Sequence, residues 1–160
     1  MKILVDADSC PRSTREVVLR AVRRTGVGAF FVANRPIPGI TGDGVMMELC
    51  SIRAGAADDR MVALACPGDV AITRDIPLAY RLVEGSIWVI DDRGRVYTQE
   101  NIREHYSRRN FMFGLAEKGL IGERIRTYGR RELKAFADSL DRILSQRIRE
   151  NPVASHQAST

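Results

Sequence analysis

The sequence is short of the side chains that most often build a reaction centre. Its 160 residues hold two histidines, His105 and His156, and three cysteines, Cys10, Cys50 and Cys66. The cysteines are odd in number, far apart and without C-x-x-C spacing, so they read as free thiols rather than a disulfide framework or thiolate zinc site. With one histidine in a polar tail, neither a His-based zinc centre nor a Ser-His-Asp triad can be assembled. Lysine is scarce too, and none occurs between Lys2 and Lys118. Any bound metal must then be held mainly by oxygen, which points to Mg²⁺ or Mn²⁺. No apolar run approaches the roughly 20 residues of a membrane span. No membrane association is expected, and the expected location is the cytoplasm.

What is present is an ordinary globular composition, 44% hydrophobic and 28% charged. The length suits one domain with one core, expected over 1–150, followed by a frayed polar tail over 151–160. The net charge of +5 is unevenly placed. Residues 1–100 hold 13 basic and 13 acidic side chains, whereas 101–150 hold 12 basic and 7 acidic. A basic region beside an acidic site suits a polyanionic substrate, and a solvated Arg-rich helical face accounts for the charge about as well.

The chain is organised around I-L-V-D-A-D-S-C-P at Ile3 to Pro11. Its apolar start reads as a buried strand, and Pro11 fits the first turn of a helix, where a missing N–H costs nothing. Asp6 and Asp8 thus fall at a strand-to-helix junction, at the carboxyl edge of an α/β sheet where ligands bind. Two carboxylates so close repel each other, and a divalent cation is the simplest reason for the pair.

Pro11 to Arg24 reads as an amphipathic helix stopped by Gly26, and Ala29 to Ala33 as a second buried strand. Residues 35–44, with two prolines and three glycines, form a loop. Gly39 and Gly44 have P-loop spacing, but Val45 stands where its lysine belongs, which excludes that motif. Strand-like composition returns over Val45 to Ile52, and a helix is expected over Ala56 to Cys66 with Asp58 and Asp59 near its start. For either carboxylate, capping or a dipole interaction is an even alternative to a site role. Asp69 to Thr73 is a short strand before Arg74-Asp75 and a helix from about Pro77 to Glu84. Ser86 to Ile90 is a further strand, and D-D-R-G at Asp91 to Gly94 is a turn into a short hairpin arm through Val96 and Tyr97. From Thr98, a plausible N-cap, the chain becomes helical, with Gly114, Gly119, Gly122 and Gly129 expected to break it into pieces. Leu133, Phe136, Leu140, Ile143 and Leu144 mark one apolar stripe in its last helix.

Three β-α connections therefore place carboxylates at corresponding ends: Asp6 with Asp8, Asp58 with Asp59 beside it, and Asp75. Brought together without lysine, they repel one another unless cations are present. D-A-D after a strand also resembles the first motif of haloacid-dehalogenase-type phosphatases. Those enzymes and response-regulator receivers need a lysine from a later strand, and Cys10 stands where the phosphatase motif usually has Thr.

The sequence instead resembles the YaiI/YqxD family of bacterial proteins, a branch of the PIN-like nuclease superfamily, over nearly the whole chain to about Leu144. The resemblance is carried by V-D-A-D-S-C-P at Val5 to Pro11, V-A-N-R-P at Val32 to Pro36, A-D-D at Ala57 to Asp59 and G-D-V-A-I-T-R-D-I-P-L-A at Gly68 to Ala79. It implies a PIN-like three-layer α/β/α fold with a mainly parallel central sheet and a helical C-terminal region. It also implies that Asp6, Asp58 and Asp75 bind Mg²⁺ or Mn²⁺ for phosphodiester hydrolysis, with Asp8, from the narrower family's motif, adding a fourth carboxylate that fits a second metal or an activated water. Ser9, Asn34 and Thr73 at the same edge, and Arg108 and Arg109 in the basic third, are the expected substrate contacts. The expected function is a metal-dependent nuclease, with RNA favoured over DNA through the superfamily alone. The alternatives are a catalytically silent nucleic-acid-binding or regulatory module on the same fold and a small-molecule phosphatase.

Overall fold

The computed structural model describes residues 1–122 and 127–151. The tail expected over 151–160 lies, apart from Asn151, outside the described residues. The chain opens with β1 (Ile3–Asp6), α1 (Arg12–Thr25) and β2 (Ala29–Ala33). Pro11 is the N-cap of α1 rather than its first helical residue, and Gly26 ends the helix in the left-handed conformation, φ 72°, as its missing Cβ permits. Then follow β3 (Val45–Leu49), α2 (Ala56–Leu64), β4 (Val70–Ile72), α3 (Ile76–Glu84), β5 (Trp88–Ile90) and β6 (Val96–Tyr97). Two longer helices, α4 (Ile102–Glu117) and α5 (Arg130–Glu150), complete the described chain.

The six strands form one sheet in the order β3-β2-β1-β4-β5-β6. All neighbours are parallel except β5 and β6, the hairpin arm. Ile3 pairs with Ala29 on one side and Val70 on the other, so β1 is central and buried on both faces, as its unbroken apolar run requires. The chain steps outward from β1 to β3 and then returns across β1 to β4. The strand order reverses at the β1/β4 pair, and the crevice above such a reversal is where α/β sheets bind ligands.

Helices cover both faces, giving the three-layer α/β/α arrangement. On one face Val18 and Val22 of α1 and Phe136, Leu140 and Leu144 of α5 pack with Val5, Phe31 and Ile72. On the other, Met61 of α2, Leu78 and Leu82 of α3 and Ile102 of α4 pack with Leu4, Ala71 and Val89. Each fully buried Leu is worth about 2 to 5 kcal/mol against truncation to Ala.

Several sequence expectations are corrected. β3 stops at Leu49, because beyond it the chain leaves the sheet and Ile52 is 92% exposed. The second helix ends at Leu64, where Ala65 turns extended and the Asp69 carboxylate takes the Cys66 N–H. Gly114 does not interrupt α4, which runs through to Glu117. Regular helix begins at Ile102 with Asn101 as N-cap. Thr98 still pins the preceding turn, because its N–H donates to Asn101 Oδ1 at 2.9 Å and its hydroxyl accepts the Asn101 N–H at 3.3 Å.

Candidate metal and phosphate site

Asp6 ends β1, Asn34 follows β2, Thr73 follows β4 and Asp91 follows β5, so all four stand at the carboxyl edge of the sheet. Asp6 is the buried centre of this edge, 8% exposed. Its Oδ2 accepts the Ser9 hydroxyl at 2.7 Å and the Thr73 hydroxyl at 2.8 Å. These bonds fix the carboxylate and leave Oδ1 without a hydrogen bond among the described residues. Ser9 and Thr73, expected at the substrate, thus act first on Asp6. Burial pushes the Asp6 carboxyl above its usual range, the two hydroxyls oppose that shift, and Asp75 and Asp8 add to it.

Asp75 is held by the same threonine, whose Oγ1 accepts the Asp75 N–H at 3.0 Å. It is also the N-cap of α3, with Oδ1 accepting the Leu78 N–H at 2.9 Å. One carboxylate oxygen is spent on starting the helix, and the other makes no hydrogen bond among the described residues. Asp58 behaves differently. The N-cap of α2 is Gly55, with no side-chain cap, and the Asp58 carboxylate makes no hydrogen bond among the described residues. Burial, then the charges of Asp75 and Asp6, push it up to about 6. Its neighbour Asp59 is turned to Arg53 and Arg81 at 2.9 and 3.1 Å, which hold its carboxyl below the usual range. The A-D-D motif thus splits into one acid electrostatically coupled to the cluster and one clamped outside it.

Asp8 accepts the Asn34 backbone N–H at 2.6 Å, and Arg35 Nε stands 3.6 Å from its other oxygen. Asn34 Oδ1 is buried without a hydrogen-bond partner among the described residues. Arg108 and Arg109 lie on α4 and make no contact with these acids: Arg108 pairs with Glu104 at 2.9 Å, and Arg109 donates to Asn110. At Asp91 the turn reading is the right one, since Oδ1 accepts the N–H of both Arg93 and Arg95. Sequence reasoning missed the partner of Asp92, which is Arg74. The signal was the middle residue of T-R-D, a cation between two members of the edge.

Among the described residues no group of three or more His, Cys, Asp or Glu side chains is arranged to hold a metal ion as they stand. The chemistry of the donors nonetheless suits a hard cation. The unspent atoms are carboxylate oxygens of Asp6, Asp58 and Asp75 and the partnerless amide oxygen of Asn34, with no nitrogen or sulfur ligand among them.

The family description "Uncharacterized BCR, YaiI/YqxD family" matches residues 4–146, from the start of β1 to near the end of α5. The chain belongs to the YaiI/YqxD family. It is 48% identical over 149 residues to a UPF0178 protein of Treponema pallidum, covering 93% of this chain and 84% of the relative. A UPF0178 protein of Treponema denticola is 39% identical over 155 residues, 97% of this chain and 99% of the relative. One from Myxococcus xanthus is 40% identical over 158 residues, covering 95% and 99%. No solved structure matches the chain. The family name carries the expected membership and no reaction.

Proposed function

We propose that this YaiI/YqxD protein is a metal-dependent phosphodiesterase acting on nucleic acid, RNA before DNA through the PIN-like resemblance. The observation that carries the reading is Asp58, a half-buried carboxylate at about 6 with no hydrogen bond among the described residues, coupled to Asp75 and Asp6 from two other β-α connections. The charges of Asp75 and Asp6 add to the burial that holds the Asp58 carboxyl up, and a divalent ion would remove that penalty.

Asp6, Asp58 and Asp75 would hold Mg²⁺ or Mn²⁺, with Asn34 Oδ1 as a neutral fourth oxygen. A bound ion supplies positive charge to the phosphoryl group and makes water more acidic. Ser9 and Thr73 keep Asp6 from rotating, and the α3 cap does the same for Asp75. Asp8, held by the Asn34 N–H, is the carboxylate left to accept a proton from the attacking water. Arg35, 76% exposed and beside Asp8, is placed to take a phosphate oxygen. The attack is in line on phosphorus, and the leaving oxygen departs on the far side.

The deciding measurement offers purified protein, with Mn²⁺ and with chelator, labelled single-stranded RNA, single-stranded DNA and a panel of phosphomonoesters. Cleavage of RNA that depends on Mn²⁺ and is lost in Asp6→Asn is the expected result. Release of phosphate from monoesters alone would make the protein a phosphatase, and binding without cleavage, equal in Asp6→Asn, would make it a binding module.

A further inference from the structure

From Ser107 to Phe113 every residue of α4 is exposed. Seven consecutive residues pass through nearly two turns, so no side of this part of the helix is buried. It nevertheless carries two large aromatic side chains, Phe111 at 65% and Phe113 at 54% exposure. They are two residues apart and point to nearly opposite sides of the helix. A membrane surface or a groove in a folded partner would want the apolar groups on one face, which this helix does not offer. Basic side chains flank the rings: Arg103, Arg108, Arg109 and Lys118 stand against Glu104 and Glu117. The Arg109 guanidinium lies over the Phe113 ring, 5.4 Å from its centroid. Arg108 is tied only to Glu104 in a pair that is more than two-thirds exposed at both ends, worth little and readily exchanged for a phosphate. Two copies meeting through this segment would bring like-charged arginines together.

We infer that the exposed stretch of α4 is a binding arm for unpaired nucleic acid, with Phe111 and Phe113 stacking on bases while Arg108 and Arg109 hold the backbone. Rings on a protruding helix can stack on splayed bases but not on bases buried in a duplex, so the arm selects single strands. Its distance from the acids fits one strand reaching both. Tyr106 of α4 packs on Tyr80 of α3 with ring centroids 5.1 Å apart. Tyr80 is about 7 Å along α3 from Asp75, and Phe111 and Phe113 are about 7 and 10 Å along α4 from Tyr106. Whatever the helix crossing angle, and with the side-chain lengths included, the rings lie within roughly 35 Å of Asp75, about ten stacked nucleotides at 3.4 Å each. This rests on the proposed reading of the acidic edge only for what happens to the bound strand.

The test compares wild type, Phe111→Ala/Phe113→Ala and Phe111→Leu/Phe113→Leu, all in chelator. The probes are a fluorescein-labelled 12-nucleotide RNA, long enough to cover that span at about 3.4 Å per nucleotide, and its duplex. Wild type should bind the single strand more tightly than the duplex, and both double variants should lose about tenfold or more of single-strand affinity while duplex binding stays unchanged. Leucine keeps the apolar surface and loses the flat ring, so a leucine variant that binds like wild type overturns the inference. Equal affinity of wild type for both probes, no binding of either, or a wild-type dimer that the leucine variant preserves also overturns it. Hydrolysis of a small activated phosphodiester with Mn²⁺, too short to reach the arm, reads the acidic edge separately and should be the same in all three proteins. Stacking with no such hydrolysis removes the nuclease reading and leaves the arm, whereas hydrolysis with no stacking removes the arm alone.

Discussion

The Thr73 hydroxyl donates to Asp6 Oδ2 at 2.8 Å across the β1/β4 pair, and the same oxygen of Thr73 accepts the Asp75 N–H at 3.0 Å. One side chain thereby sets the positions of two acids from separate connections. Thr73→Val should cost about 1 to 3 kcal/mol in chelator, because a buried carboxylate loses a donor and a backbone N–H loses its acceptor. The Asp6 carboxyl should move further up, since one of the two hydroxyls that hold it down has gone. Thr73→Ser should restore both quantities. Carbon-detected NMR titration of the Asp6 carboxyl checks this, and an unchanged titration in the valine variant would refute the positioning role.

Mg²⁺ or Mn²⁺ should raise the melting temperature of wild type by binding the native state. Asp6→Asn, Asp58→Asn and Asp75→Asn, which each remove a ligand, should lose part of that gain, and Asp8→Asn, which removes a nearby negative charge but no ligand, should lose less. In chelator Asp58→Asn should be neutral or stabilising, because a repelling charge is removed. Asp59→Asn gives the contrast: it weakens two exposed arginine pairs, changes stability little, and keeps the metal gain. Equal metal shifts in all six proteins would dissolve the site.

The pH dependence has a definite sign. Asp58 ordinarily has a pKa of 3.8 and in the folded chain lies at about 6, so between these values the native state holds a proton that the unfolded state has lost. Stability in chelator should fall as pH rises from about 4 to about 6 and then level off, with Asp6 acting in the same direction. Asp58→Asn should flatten this slope. With Mn²⁺ present, the gain from metal should grow through the same window, because cation and proton compete for one carboxylate. Urea titrations at half-unit pH steps measure both slopes, and a wild-type slope that matches Asp58→Asn would show that Asp58 is not perturbed.

Gly94 turns the chain between β5 and β6 at φ 85°, and a Cβ there would overlap the Ala135 carbonyl of α5. The Ser139 hydroxyl donates to the Gly94 carbonyl at 2.8 Å in the same contact. Gly94→Ala should therefore cost about 3 kcal/mol through strain and displacement of α5. A thermal melt within a few degrees of wild type would show that the turn can move away from the helix.

The buried strands were legible because a run such as A-F-F-V-A between Gly28 and Asn34 has no other stable use, and β2 occupies those residues. The α5 stripe was legible for the same reason, since Phe136, Leu140, Ile143 and Leu144 are buried. The places of the carboxylates at the β-α connections were legible from the order of strands and helices. Their different second duties were not, because capping by Asp75 and clamping of Asp59 depend on Leu78 N–H and on Arg53 and Arg81, whose approach only the packing of α2 and α3 decides. The exposed half of α4 was read simply as helix. Its arginines and phenylalanines leave no dominant apolar face, so periodicity could not say which side was buried, and over Ser107 to Phe113 none is.

The reversal of strand order at β1 has a kinetic consequence. Asp6 and Thr73 are 67 residues apart in the chain, so β1 and β4 meet only after a long loop has been closed, whereas β1 and β2 join through the short α1 crossover. Contacts of such long range tend to be late events in folding. A chain interrupted before β4 holds Asp6 without the Thr73 donor and without Asp75, so it does not carry the assembled acids. The acidic edge then comes into being only when β4 has joined β1, and any activity that needs Asp6 and Asp75 together is absent until that pairing is made.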